Sequence, residues 1–255
     1  MFKAVLSKDK IKRWIKFITT INKLTDESCI WIRNDALHFR DMDAARICMI
    51  DFKLLPSYFA EFECKEEIPL CVQSKMLLEF SKHMKNVDEM EMTISNDLSY
   101  LILQSRVPYE RSLMIPVTVD RERSMPGVPE LEYTASVKLV SSVLKDMLTE
   151  AKSISDRITF IAEGNSITFL CKNEEGFQVK HRLVYPENLE ILDIHVSQRS
   201  TAVYMVKPLL EVVKELSTLS RVSMLDFGNM MPLHLSFELI EGESYEFFLA
   251  PRTEE

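Results

Sequence analysis

The chain has 255 residues, 46% hydrophobic and 27% charged, with a formal net charge of −8 and five cysteines. That length suits one large domain or two of roughly 125 residues, with apolar material enough for a sizeable core. No apolar run approaches the ~20 residues of a membrane span, and the opening MFKAVLSKDKIKRW lacks a signal peptide's unbroken apolar stretch, so an intracellular protein is expected.

The order of elements repeats along the chain. FKAVL at 2–6 alternates like a half-buried strand, and a helix over 7–24 follows with Ile11, Trp14, Ile15 and Ile18 on one face. TDESCIWIRNDALHF at 25–39 reads as a hairpin turning at Asn34-Asp35. A second helix, SKMLLEFSKHMKN, spans 74–86 with Met76, Phe80 and Met84 as its apolar stripe, and SLMIPV at 112–117 closes the half as a strand. The second half begins again with the strand YTASV at 133–137. A helix over 138–152 carries Leu144, Met147, Leu148 and Ala151 on one face. A hairpin SDRITFIAEGNSITF at 155–169 turns at Gly164-Asn165, a helix occupies 206–221, and the strand YEFFLAPR spans 245–252. The expectation is a duplicated α+β protein: a domain over 1–117, a connector over 118–132 and a domain over 133–255.

Several chemistries are disfavoured. Cys29, Cys48, Cys64, Cys71 and Cys171 never form C-x-x-C, which argues against a zinc ribbon or a thioredoxin-like pair. They are expected to be small buried apolar residues of a reducing compartment. His38, His83, His181, His195 and His234 make no paired-ligand motif, so no metal is expected. The five glycines cannot assemble a phosphate cradle, so no nucleotide cofactor is expected either.

Charge is unevenly distributed. The four helical segments hold fifteen basic and six acidic side chains, a surplus of nine, which leaves the rest of the chain at −17. Lys12, Arg13 and Lys16 fall opposite the isoleucine stripe of the first helix, and Lys75, Lys82 and Lys85 opposite the stripe of the second. Lys145 and Lys152, with Asp146 between them, and Lys207 and Lys214, with Glu211, continue the pattern less cleanly. Four basic helix faces in an acidic chain are the electrostatic footprint of a polyanion. Nothing in the sequence reads bases, so binding to phosphate backbone is expected.

The connector VTVDRERSMPGVPELEY at 117–133 places apolar Met125 and Val128 inside a charged, Pro- and Gly-broken segment. On composition alone Met125 reads as a lid over the protein's own domain seam.

MFKAVL, LHFRDMDAARICMIDF at 37–52, GVPELEY, MPLHLSFE at 231–238 and FFLAPR, together with the duplication, resemble the proliferating-cell nuclear antigen type of DNA sliding clamp. The resemblance covers nearly the whole chain, and the tail, ending three residues after Arg252, points to an archaeal member. It implies a noncatalytic ring of three subunits, six domains around, with helices lining the hole and antiparallel sheets outside, encircling duplex DNA. It also implies a front-face pocket for short peptides of polymerase, ligase, flap nuclease and clamp loader. By position that pocket comprises Met42, Arg46, Ile47, Met49, Met125, Pro126, Val128, Pro232, Phe248, Ala250 and Pro251. Subunits would join through Ser112, Leu113, Met114 and Ile115 against Gln178, Val179, Lys180 and His181 of the next copy or of a related clamp subunit. Arg46 departs from the family, where histidine is common. The compartment is cytoplasmic for an archaeal protein and nuclear for a eukaryotic one. Two other readings are a checkpoint-type clamp subunit, which shares the fold, and a metal-dependent hydrolase using Asp41 and Asp43, two positions apart on a strand.

Overall fold

The computed structural model describes residues 2–252; the tail behind the archaeal expectation lies outside them. Two compact units emerge: Met1–Ala44 with Ile50–Gly127 and Leu239–Tyr245, and Ala45–Met49 with Val128–Glu238 and Glu246–Glu255.

The first half runs β1 (Phe2–Ser7), α1 (Lys8–Leu24), β2 (Glu27–Ile32), β3 (Leu37–Met42), β4 (Cys48–Leu54), β5 (Glu61–Cys64), β6 (Ile68–Gln73), α2 (Ser74–His83), β7 (Glu89–Ile94), β8 (Tyr100–Ser105) and β9 (Arg111–Pro116). A two-residue strand, β10 (Thr118–Val119), starts the connector. The second half runs β11 (Ala135–Val140), α3 (Ser141–Ile154), β12 (Arg157–Glu163), β13 (Ser166–Lys172), β14 (Gln178–Val184), β15 (Ile191–Val196), β16 (Ser200–Met205), α4 (Val206–Leu216), β17 (Val222–Phe227), β18 (Leu233–Phe237) and β19 (Glu243–Leu249). Strand and helix kinds follow in the same order in both halves. The sheets agree as well: β5-β1-β7-β8-β9 corresponds to β15-β11-β17-β18-β19, and β6-β2-β3-β4 to β16-β12-β13-β14. The chain is therefore an α+β protein of two topologically alike domains built on antiparallel sheets.

Each helix starts where a strand stops, with no intervening loop. Burial holds these helices more than capping does, since none has a side-chain hydrogen bond at its N-cap. In α1 the buried set is Ile11, Trp14, Ile15, Phe17, Ile18, Thr20 and Ile21, a wider stripe than four apolar positions suggested. Trp14 Nε1 donates to Ser81 Oγ of α2 at 2.9 Å, so the indole carries a partner into the core. Phe17, Phe52 and Tyr245 stack below α1, and Tyr245 Oη donates to Thr20 Oγ1. In the second unit Phe160 contacts Phe169, Tyr204 and Phe227 edge-on.

Some helix expectations need correction. The buried side of α2 is Ser74, Leu77, Leu78 and Ser81, with Met76 and Phe80 only half-buried and the fully buried Met84 just past the last helical residue. The helix ends at His83, short of the expected 86, and α4 ends at Leu216, short of 221. The hairpins do turn at Asn34-Asp35 and Gly164-Asn165. Gly164, at φ +55°, supplies the left-handed conformation a two-residue turn needs.

The cysteine expectation is overturned. Cys29 and Cys71 face each other in the β2–β6 register and form a disulfide, while Cys48 and Cys171 are buried thiols and Cys64 is half-buried. Forty-two residues separate the pair in sequence, so only strand pairing reveals their proximity.

Candidate functional site

In the first unit α1 packs beside α2, and in the second α3 beside α4. Lys12, Lys75, Lys82, Lys85, Lys152, Lys207 and Lys214 are exposed, and Lys16 and Lys145 are half-buried. Lys12 lies 3.4 Å from Asp9 and Lys145 3.2 Å from Asp146, loose surface pairs that leave both ammonium groups able to meet phosphate.

Arg13 does not belong with them. Its Nε and Nη2 both donate to the carboxylate of Glu243, whose side chain is fully buried, and its own side chain is 16% exposed. The Glu243 hydrogen bonds outweigh desolvation and raise the Arg13 pKa. The helical wheel set Arg13 beside Lys12 because the wheel does not contain the β19 carboxylate.

The residues expected to receive a partner peptide are divided between the units. On the first, Met42 is exposed, and Met125 packs, partly buried, on Cys29, Trp31 and Cys71. Met125 thus covers the first unit's own sheet, where a lid over the domain seam was expected. The connector beside it is pinned by charge. Arg40 donates through Nη1 to the Pro126 carbonyl (3.1 Å) and through Nη2 to Asp51 (2.7 Å). His38 contacts the other Asp51 oxygen. Burial pushes the Asp51 pKa up, but the His38 and Arg40 hydrogen bonds prevail and hold it below the ordinary carboxylate value. Arg123 reaches Asp41 at 3.5 Å and Glu27 at 3.8 Å, and Arg121 reaches Glu66 at 2.7 Å.

The same contacts occupy Asp41, one of the two carboxylates of the hydrolase reading. Asp41 is buried and accepts from Ser28 Oγ (2.6 Å) and the Cys29 N–H (2.9 Å). Burial raises its pKa, partly offset by those two donors. Its oxygens serve the fold, and no group of three metal-ligating side chains occurs among the described residues.

On the second unit Arg46, at φ +56°, and Ile47 are exposed, and the Ala250 N–H donates to the Ile47 carbonyl at 2.8 Å. Val128, Pro232, Ala250 and Pro251 are half-buried. Met49 is 4% exposed and belongs to the core, so it offers a ligand nothing. Phe248 is also mostly buried, and its ring stacks on His234 (4.8 Å, 21°), which stacks in turn on Tyr133 (6.1 Å, 17°). Sequence reading passed over His234. Burial lowers its pKa, but the Asp226 hydrogen bond at 3.0 Å and nearby Glu246, 3.7 Å from Nε2, outweigh that and lift it to about 9.

The strands expected to join subunits lie at sheet ends, β9 in one and β14 in another. Met114 is 49% exposed on β9, with Tyr109 exposed ahead of it, and Phe177 is 59% exposed ahead of β14. Ser112, Gln178 and Lys180 are exposed, Leu113, Val179 and His181 are half-buried, and Ile115 points into the core at 0%.

Comparison with known proteins agrees with this architecture. Residues 1–112 match the family model for the proliferating cell nuclear antigen N-terminal domain, and residues 127–252 that for its C-terminal domain. A DNA polymerase sliding clamp of Pyrococcus furiosus is 31% identical over 96% of both chains, and DNA polymerase sliding clamp 1 of Thermococcus kodakarensis 30% over 97% of both. A crystal structure of PCNA from Thermococcus kodakaraensis superposes with a TM-score of 0.89 at 21% identity, covering 99% of this chain and 100% of that one.

Proposed function

The chain belongs to the proliferating cell nuclear antigen family, and we propose that it works as a DNA polymerase sliding clamp, a noncatalytic ring that holds replication enzymes on duplex DNA. The observation that carries this reading is the same helix pair in both units, each pair bearing exposed lysines in a chain of net charge −8. Three copies would bring Lys12, Lys16, Lys75, Lys82, Lys85, Lys145, Lys152, Lys207 and Lys214 around a central duplex. Arg13, held by Glu243, would support the helix rather than touch phosphate. Lysine ammonium groups meeting phosphates bind without regard to sequence, and topological enclosure makes tight grip unnecessary, so the ring can slide.

Partners would dock where Met42, Arg46, Ile47, Met125, Pro126, Val128, Pro232, Ala250 and Pro251 are accessible. Flexible methionine side chains suit a surface that must accept several peptides. Phe248 would form the wall of that surface and Met49 its underlying core. Polymerase, ligase, flap nuclease and clamp loader are the partner classes, and the setting is the compartment where the chromosome is copied. The domains are assigned as 1–117 and 133–255, with the connector 118–132 as the partner-facing strap.

The test is processive synthesis on primed circular DNA. Lys12→Ala/Lys16→Ala/Lys82→Ala is expected to cut polymerase stimulation several-fold, and the log–log salt slope of DNA affinity should shrink by about 0.9 per lost phosphate contact. Unchanged stimulation would overturn the assignment of these lysines. Separately, Met125→Asp/Val128→Asp should abolish partner-peptide binding in calorimetry while polymerase-free DNA encirclement persists.

A further inference from the structure

On the second unit, the sheet β14-β13-β12-β16 has one face covered by α3, which packs on β12, β13 and β14. Ile158, Phe160 and Ala162 turn to that side and are buried. Its other face is a shallow groove of about 450 Å³ whose edge, at Gln178 and Lys180, is shared with the strand expected to join subunits.

Four cations and one carboxylate line it: Lys172, Lys180, Arg182 and Arg199 against Glu163. All five are exposed. Glu163 meets Arg199 only at 4.0 Å, and among the described residues neither Lys172 nor Lys180 has a carboxylate within ion-pair distance. A local surplus of three positive charges therefore stands on a chain of net −8. The register explains the clustering. Lys180 sits opposite Leu170 and Arg182 opposite Thr168, so the two cations stand on one face of β14, about 6.8 Å apart. Between them and Arg199 the floor is Ile161, Thr168 and Leu170, apolar or nearly so.

We propose that this groove is a docking site for an extended acidic segment of a partner protein. An extended peptide sets alternate side chains at the same spacing as Lys180 and Arg182, so carboxylates two residues apart can meet both. The floor can take the apolar stem of a residue between them. Nucleic acid fits less well. The groove holds no aromatic side chain on which a base could stack. Beyond a Debye length of ~8 Å a long polyanion also feels the acidic remainder of the protein, whereas a short peptide feels chiefly the local cations. The site lies within one unit and does not depend on the connector.

The experiment uses the full chain and a fluorescent peptide of alternating Glu and Ser about eight residues long, enough to run the seven-residue strand β14. Anisotropy should show binding at low salt that weakens as salt rises. Lys172→Glu/Arg199→Glu should weaken it about tenfold or more. Lys180→Glu/Arg182→Glu should do the same, and the first pair keeps the test sound if reversal on β14 alters assembly. Lys12→Ala/Lys16→Ala and Met125→Asp should leave peptide affinity unchanged, which separates this site from the lysine-bearing helices and the connector surface. Absence of peptide binding, native affinity in both charge-reversed pairs, or tighter capture of a single-stranded oligonucleotide of equal charge would each overturn the proposal.

Discussion

Arg13 and Lys12 are neighbours with opposite fates, and the difference is a single carboxylate. Glu243 is buried and held by two guanidinium donors, so Arg13→Ala leaves an uncompensated charge in the first unit. A loss of about 3–5 kcal/mol is expected in urea unfolding, whereas Lys12→Ala, losing only an exposed pair, should stay within about 0.5 kcal/mol. Equal effects of the two would refute the structural role given to Arg13. His234 yields a second residue-level expectation. Its pKa rises from 6.5 to about 9 on folding, so its contribution is fully present below pH 6.5 and disappears as pH climbs through about 9. Unfolding of the protein and of His234→Gln, followed from pH 6 to 9.5, should converge by about 2–3 kcal/mol at the alkaline end. A constant gap across that window would show that the imidazolium is not what Asp226 and Glu246 hold.

Among the elements, the connector is the informative case. Its Arg121 and Arg123 clasp Glu66, Glu27 and Asp41, while Arg40 from β3 holds the Pro126 carbonyl. Met125 rests on the disulfide between β2 and β6. The apolar residue thus has a seat on one unit without being completely buried. Cys29→Ser/Cys71→Ser should cost at most about 4 kcal/mol, the chain-entropy value for a loop closed across 42 residues. It should also weaken partner-peptide binding by loosening the seat. Native stability in the double variant under oxidising conditions would show that the cross-link does not form in solution.

For the whole molecule, two sheet ends matter, because an unpaired strand edge that also exposes Met114, Tyr109 or Phe177 invites another strand. Pairing of β9 of one copy with β14 of the next, as proposed for the ring, would cover both edges in a head-to-tail contact. Met114→Arg with Phe177→Asp should give monomers by light scattering and abolish retention on circular DNA, with each unit still folded by circular dichroism. If the unmodified chain stays monomeric at micromolar concentration but trimerises on mixing with a related clamp subunit, the ring is mixed rather than uniform.

The sequence by itself determined the duplication, the four helices, both two-residue hairpin turns and the concentration of lysine on helices. Each of these is written in local periodicity: a 3.6-residue stripe, a two-residue alternation, a glycine or Asn-Asp at a turn. Family motifs distributed over the chain added the expected sites, but not which of their side chains are reachable. The tertiary structure alone decided that Arg13 is spent on Glu243, that Met49 belongs to the core, that Cys29 meets Cys71, and that His234 is held between Asp226 and Glu246. Those outcomes depend on cross-strand register and on contacts between residues up to 230 apart in the chain. Periodicity says which face a residue takes, while its partner is settled only when another segment arrives at that face.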